Sequence, residues 1–230
     1  FFDDELKERL KLLFVSHVRN LLEGETMQRT KKKRELLSDE AGRLSILLRR
    51  RNQVALFNEL RTKQEGLGAE IELITKKIEE FRYAMKCILA HLEGNQSEDS
   101  TIDDNFELFK FGDGFDWSKI HCIVTRECRR LEDGLPIYGC RIEILRKILS
   151  QQVMLLIGET GSGKSTQLVQ FLADSGVLAS ASIICTQPRK IAAVSLAKRV
   201  GEESSGCYED NSVICYPTYS SVQGFKSKVI

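Results

Sequence analysis

Between residues 3 and 92, apolar side chains recur at three- and four-residue steps, the period of helices with one face turned inward. In the first stretch Leu6, Leu10, Leu13, Phe14, His17 and Leu21 share a face. Acidic residues open this segment, as the helix dipole favours, and Gly24 is placed to end it. Leu44, Leu47, Leu48, Val54, Phe57 and Leu60 form a second stripe. The pattern then tightens into a heptad seam, with Ile71, Ile78, Met85 and Leu92 at one core position and Leu67, Ile74, Phe81 and Ile88 at the other. The seam lasts about three and a half heptads, close to the shortest run that marks a coiled coil. It suits an intramolecular helical hairpin or an intermolecular coiled coil, and the hairpin is the preferred expectation.

Residues 93–105 are polar, acidic and poor in large apolar side chains, the composition of a linker. The chain therefore divides into a helical extension (1–92), a linker (93–108) and a second domain (109–230). In the second domain, helices are expected over 116–131, where Ile120, Ile123, Val124, Cys128 and Leu131 share a face, and over 138–150. Gly134, Leu135 and Pro136 break the chain between them. Residues 153–157 are all apolar, the mark of a strand buried on both faces of a parallel sheet. A helix over 166–173, a second buried strand over 182–186, a helix over 192–203 and a third strand over 212–216 complete the rhythm. The fold class expected is α/β, an incomplete parallel-sheet domain preceded by an all-α extension.

Composition changes this picture little. The 230 residues carry 34 Lys and Arg against 33 Asp and Glu, a net charge of +1, so any nucleic-acid contact must come from a local patch. Two basic clusters stand in the helical extension, Lys31, Lys32, Lys33 and Arg34, then Arg49, Arg50 and Arg51. They read first as solvated faces, and secondly as a surface for RNA. The same extension could serve a protein partner. The 7 cysteines are odd in number and form no Cys-x-x-Cys pair, so reduced thiols in an intracellular compartment (cytoplasm, nucleus or plastid) are expected rather than disulfides or a zinc site. No apolar run approaches the ~18 residues of a membrane span, so no membrane partner is expected. The chain opens without Met on an acidic stretch, and the natural protein is expected to begin upstream.

The chemistry concentrates after the first expected strand. Gly158, Glu159, Thr160, Gly161, Ser162, Gly163, Lys164 and Ser165 fit Gly-x-x-x-x-Gly-Lys-[Ser/Thr], and Thr166 follows. A triphosphate is a dense anion that backbone N–H groups must approach closely, and side chains at the turn would block them. Glycines at 158, 161 and 163 supply the clearance and the backbone freedom. The loop opens a helix whose first amides face an anion. In this arrangement Lys164 places positive charge on the β- and γ-phosphates, and the Ser165 hydroxyl is a ligand for Mg²⁺. Nucleotide kinases, transporters, GTPases and helicases share this loop, so it names a ligand class and leaves the reaction open.

The block from Cys185 through Gln187, Pro188, Arg189 and Lys190 to Arg199 and Val200 closely resembles motif Ia of the DEAH-box RNA helicases. The loop at 158–166 followed by Gln167 resembles their motif I, and Leu135, Pro136, Ile137 and Tyr138 with Arg141 resemble the approach to their first RecA-like domain. The resemblance covers residues 116–230. It implies an ATP- and Mg²⁺-dependent enzyme acting on single-stranded RNA, with Arg199 stacked on adenine. Residues 186–190 stand at the C-terminal end of an expected strand, where open sheets bind ligands. Pro188 fixes a turn beside Gln187, and Arg189 and Lys190 offer cations to the phosphates of a single strand.

The chain departs from the family in places. The family usually has two arginines where this chain has Arg189 and Lys190, and a lysine lacks the planar fork for a bidentate phosphate contact. After the third expected strand the basic residue usual in the family is missing from the run Cys215, Tyr216, Pro217, Thr218, Tyr219, Ser220, Ser221. This variant, with its long helical N-terminal segment, is similar to a plant subgroup whose full chains also carry a C-terminal RING/IBR-type zinc region. No Asp-Glu-Ala-His follows Lys164. The expectation is a parent protein that hydrolyses ATP and a 230-residue stretch that by itself does not. The competing readings are another P-loop NTPase, such as a kinase or transporter ATPase, and a non-catalytic helical RNA- or protein-binding module with a vestigial loop.

Overall fold

The computed structural model describes residues 4–50, 54–94, 108–111, 116–175 and 183–204. Its helices are α1 (Asp4–Leu22), α2 (Glu25–Arg50), α3 (Val54–Glu93), α4 (Trp117–Asp133), α5 (Arg141–Ser150), α6 (Lys164–Asp174) and α7 (Lys190–Glu203). A 3₁₀ turn at Pro136–Cys140 leads into α5.

The α1–α2 junction forms where the glycine stands. The N–H groups of Glu23 and Gly24 donate to the carbonyls of Asn20 and Leu21, both at 3.3 Å, and α2 restarts one residue later. The inward face of α1 is rotated from the expected one. Val15 and Val18 are buried and Phe14, Leu21 and Leu22 pack on the core, while Leu13 is 66% exposed and Leu6 is exposed. A run this rich in leucine fits more than one helical face, and the neighbouring elements choose between them.

The seam on α3 is covered within the chain. Leu67, Ile74, Ile78, Phe81, Met85, Ile88 and Leu92 are all buried and Ile71 is half-buried. They lie against α1, α2, α4 and the 3₁₀ turn, so the seam faces inward as an intramolecular hairpin would have it. The 3₁₀ turn approaches α3 backbone to backbone. A Cβ on Gly139 would stand 3.1 Å from Lys76 Cβ and 3.3 Å from the Lys77 nitrogen. Helix α4 is capped at both ends: the Asp116 side chain accepts from the Lys119 amide at 3.0 Å, and Gly134 turns left-handed with φ +67°. The buried Lys77 ammonium donates to the Gly134 carbonyl, which fixes that end to α3. The linker expected over 93–108 falls mainly on residues 95–107, outside the described residues.

Among the described residues the expected parallel sheet is not formed. Among the described residues every regular element is helical. Residues 153–157 and, of the second expected strand, 183–186 form no strand, while residue 182 and the third expected strand, 212–216, lie outside the described residues. Val153, Leu155, Ile157 and Ile184 are 82%, 83%, 83% and 81% exposed, whereas Met154 and Leu156 pack on the core. A continuous apolar run therefore covers one face here, not two. A strand requires a ladder partner, which short-range apolar pattern cannot supply.

Candidate nucleotide and nucleic-acid site

Residues 158–163 curl back on themselves before α6. Gly161 and Gly163 hold φ +84° and +89°, a region that L side chains rarely enter. Gly163 is also hemmed in: a Cβ there would stand 3.0 Å from Ile137 Cγ2 and 3.2 Å from Leu135 Cδ1. The Ile137 N–H donates to the Ser162 carbonyl at 3.2 Å, so the 3₁₀ turn backs the loop. Inside the curl the Ser162 hydroxyl donates to the Glu159 carbonyl at 2.8 Å. Lys164 Nζ donates to the carbonyls of Gly158 at 2.6 Å and Glu159 at 2.5 Å and to Ser162 Oγ at 3.0 Å, tying the two ends of the loop.

Helix α6 begins at Lys164 with Gly163 as its N-cap and no side-chain cap. The first intrahelical amide bond is Gln167 N–H to the Gly163 carbonyl at 2.8 Å. The preceding amides of the first turn have no acceptor inside the helix. Glu159, Thr160 and Ser165 are exposed, Lys164 and Thr166 are half-buried, and the Thr166 hydroxyl lies 3.4 Å from the Gly163 carbonyl.

The second block lies along α7. Pro188, Arg189 and Lys190 are exposed and Gln187 is half-buried. Arg189 caps α7 in an extended conformation, and its carbonyl accepts from the Ala193 amide at 3.0 Å. Arg199 is near the far end of this helix, about 14 Å from Lys190 at 1.5 Å per residue. Its Nε donates to Glu203 Oε1 at 2.6 Å, and the hydrogen bond and charge of that carboxylate raise the guanidinium further above its ordinary value. Helices α6 and α7 pack together. The fold thus links Arg199 to α6 through Glu203, and it puts residues 187–190 at the other end of α7.

A buried polar network behind α6 escaped sequence reasoning. Arg130 of α4 donates through Nε to Gln167 Oε1 at 2.9 Å, through Nη2 to Gln170 Oε1 at 3.2 Å, and through Nη1 to Glu127 at 2.5 Å and Asp174 at 3.2 Å. Arg126 donates to Asp174 as well. Glu127 also accepts from Arg141 Nη1 at 2.9 Å and from the Tyr138 hydroxyl at 2.8 Å. Arg141 is 1% exposed, reaches Glu80 of α3 at 3.4 Å, and lies over the rings of Tyr138, Phe171 and Phe109. Burial by itself would raise the Glu127 carboxyl, but the charges of Arg141 and Arg130, the Tyr138 hydroxyl and Arg126 outweigh it and hold the group at about 2. Glu80 goes the other way: burial raises it, and Arg141 and the Ile142 amide only partly offset that. The one available signal was the spacing of Glu127 and Arg130 beside Ile123, Val124 and Leu131, which sets charges on an apolar helix face.

Among the described residues, no cluster of His, Cys, Asp and Glu could hold a metal ion, and no helix is long and apolar enough to cross a membrane. The cysteines at 87, 122, 128, 140 and 185 are free thiols.

No family model matches the chain, and neither does any solved structure. Curated relatives do match. The chain is 51% identical over 99% of its length to "ATP-dependent RNA helicase DEAH12, chloroplastic" of Arabidopsis thaliana, of which it spans 13%. It is 51% identical, again over 99% of its length, to "ATP-dependent RNA helicase DEAH11, chloroplastic" of the same plant, also spanning 13%. Over 36% of its length it is 45% identical to "Pre-mRNA-splicing factor ATP-dependent RNA helicase prp22" of Schizosaccharomyces pombe, spanning 7% of that protein. With its glycine-rich loop, the α7 block and 51% identity over 99% of its length to the two Arabidopsis relatives, the chain belongs to the family of DEAH-box ATP-dependent RNA helicases.

Proposed function

We propose that the protein carrying this chain couples ATP hydrolysis to movement along single-stranded RNA, and that residues 158–166 hold the ATP phosphates. The observation that carries the reading is the curled loop with Gly161 and Gly163 left-handed, opening directly into a helix with no side-chain cap. Unpaired first-turn amides and an ammonium at the base of the loop make a bed for an anion.

In this reading Gly158, Gly161 and Gly163 keep the approach clear for the amides, and Glu159, Thr160, Ser162 and Thr166 border it. Lys164 exchanges its carbonyl partners for phosphate oxygens and carries the cation to them. The exposed Ser165 hydroxyl fits an oxygen-preferring Mg²⁺, which neutralises phosphate charge when bound. Arg199 offers a planar guanidinium for the adenine face, and Gln187, Pro188, Arg189 and Lys190 contact RNA phosphates. The chain contains no Asp-Glu-Ala-His, and by itself it binds nucleotide without turning it over. Lys31 and Lys33 are tied to Glu23 at 3.0 Å and Glu70 at 2.9 Å, which favours a solvated surface over an RNA site at the first basic cluster, while Arg51 and the side chains of Arg49 and Arg50 lie outside the described residues.

The test is Lys164→Ala in the full-length protein. RNA-stimulated ATPase activity should disappear while the protein stays folded, and unchanged turnover would refute the assignment.

A further inference from the structure

We propose that Glu203 is a positioning residue that holds Arg199 for the nucleotide base, and that the phosphate-loop helix supplies the platform on which Glu203 is held. This rests on the reading of residues 158–166 and Arg199 as an ATP site.

Arg199 and Glu203 are four residues apart on α7, and such pairs are usually surface decoration. The next pair along the helix is of that kind: Lys198 and Glu202 stand 3.9 Å apart with side chains 76% and 57% exposed. Glu203 differs. Its side chain is 20% exposed, and both of its oxygens are committed. Oε1 accepts from Arg199 Nε at 2.6 Å, and Oε2 accepts from Gln167 Nε2 and Gln170 Nε2, each at 2.8 Å. The carboxylate therefore bridges α7 to the inner face of α6.

The polarity of the bridge is forced. A guanidinium can only donate and a carboxylate can only accept, so each glutamine amide between them has one allowed orientation. The oxygens of Gln167 and Gln170 face Arg130, and their NH₂ groups face Glu203. Arg130 is itself held by Glu127 and Asp174 and lies 5.0 Å from the centre of the Phe171 ring. A rigid arginine thus orients two amides, the amides orient one carboxylate, and the carboxylate orients Arg199. Gln167 follows Thr166 directly, so the first turn of α6 and the guanidinium of Arg199 are fixed in one hydrogen-bonded frame. The arrangement gives the base contact a fixed distance from the phosphate bed, the kind of preorganisation that lowers the cost of binding.

The deciding change is Glu203→Gln in the full-length protein. It keeps volume and helix propensity, but its amide NH₂ must confront Arg199 or the two glutamines, which are all donors. The KM for ATP should rise roughly tenfold with little change in kcat, the effect of losing a charge-assisted hydrogen bond. The inhibition constant of inorganic tripolyphosphate, which has no base, should stay within twofold of wild type. Arg199→Ala should act like Glu203→Gln, and the double variant should be no worse than either single one. Glu202→Gln, at the exposed pair, should leave both constants unchanged. Equal weakening of ATP and tripolyphosphate, additive effects of the two changes, or a wild-type KM in Glu203→Gln would each overturn the inference. If Lys164→Ala also left turnover intact, the nucleotide-site reading would fall as well. If Lys164→Ala abolished turnover while Glu203→Gln behaved as wild type, only the positioning role would fall.

Discussion

Arg141 donates to Glu127 at 2.9 Å in a place where the side chains are 1% and 0% exposed. The pair joins α4 to the start of α5, and Glu80 extends it to α3. A buried charge left alone is far costlier than the pair itself is stabilising, because its lost hydration is no longer offset. Replacing Glu127 with Gln removes the carboxylate that Arg141 and Arg130 share, leaving Arg141 with Glu80 at 3.4 Å and Arg130 with Asp174 at 3.2 Å as their remaining anionic partners. We expect a loss of about 3–5 kcal/mol at neutral pH, read from denaturant unfolding of the 230-residue chain.

The same carboxylate sets a pH dependence. Its ordinary value is 4.5 and its folded value about 2, so between these pH values the folded state binds fewer protons than the unfolded one. The stability due to Glu127 is complete above about 4.5 and is lost as pH falls through about 2. Glu80 is raised, so protonation relieves part of its burial cost and opposes the loss. The gap between wild type and Glu127→Gln should therefore close as pH falls from 4.5 toward 2. A gap that stayed constant across that window would show that Glu127 is not ionised in the folded state.

On α3, Phe81 is 1% exposed in the middle of the heptad seam. Its ring is covered by elements of its own chain, so Phe81→Ala should cost about 3–5 kcal/mol through the cavity it leaves. Sedimentation velocity of the folded variant should show the oligomeric state of the wild type. A lower-order species would mean that the seam joins two copies.

In the loop, Gly163→Ala meets two obstacles. The left-handed backbone at φ +89° costs about 1–2 kcal/mol for an L residue. The new methyl would also press on Ile137 and Leu135 at 3.0 and 3.2 Å. Titration of the full-length protein with a fluorescent ATP analogue should show binding weakened by tenfold or more, about 1.4 kcal/mol. Gly161 has the same backbone region but nothing within 4 Å, so Gly161→Ala should cost the strain alone.

What could be read in advance followed local rules. The ends of α4 are marked by Asp116 and Gly134, and the tight turn before α6 is marked by Gly161 and Gly163, features that depend on a few adjacent residues. The heptad spacing gave the buried side of α3 because a seam of Ile, Phe and Met admits one face. On α1 the expected face, which included Leu6 and Leu13, was the wrong one: leucines all around the helix fit several faces, and packing chose the face of Val15 and Val18. The burial of Arg126, Glu127, Arg130 and Arg141 was not legible, because pattern counts apolar groups and cannot see that a charge has partners distant in sequence. Among the described residues the expected strands did not form for a related reason: strand pairing depends on what lies alongside, which a five-residue apolar run does not encode.

That last difference can be measured. Leu155 is 83% exposed and its neighbour Leu156 packs on the core, although the two are identical in kind and adjacent in sequence. Were residues 153–157 buried on both faces, a polar replacement at either position would be strongly destabilising. With one face bare, Leu155→Ser should change the stability of the 230-residue chain by no more than about 0.5 kcal/mol, as surface changes do. Leu156→Ser removes core contacts and forces a hydroxyl toward apolar neighbours, and should cost about 2 kcal/mol or more. Chemical denaturation of both variants gives the comparison directly. Equal, large losses at the two positions would mean that Leu155 is covered after all, and that the described arrangement of this segment is wrong.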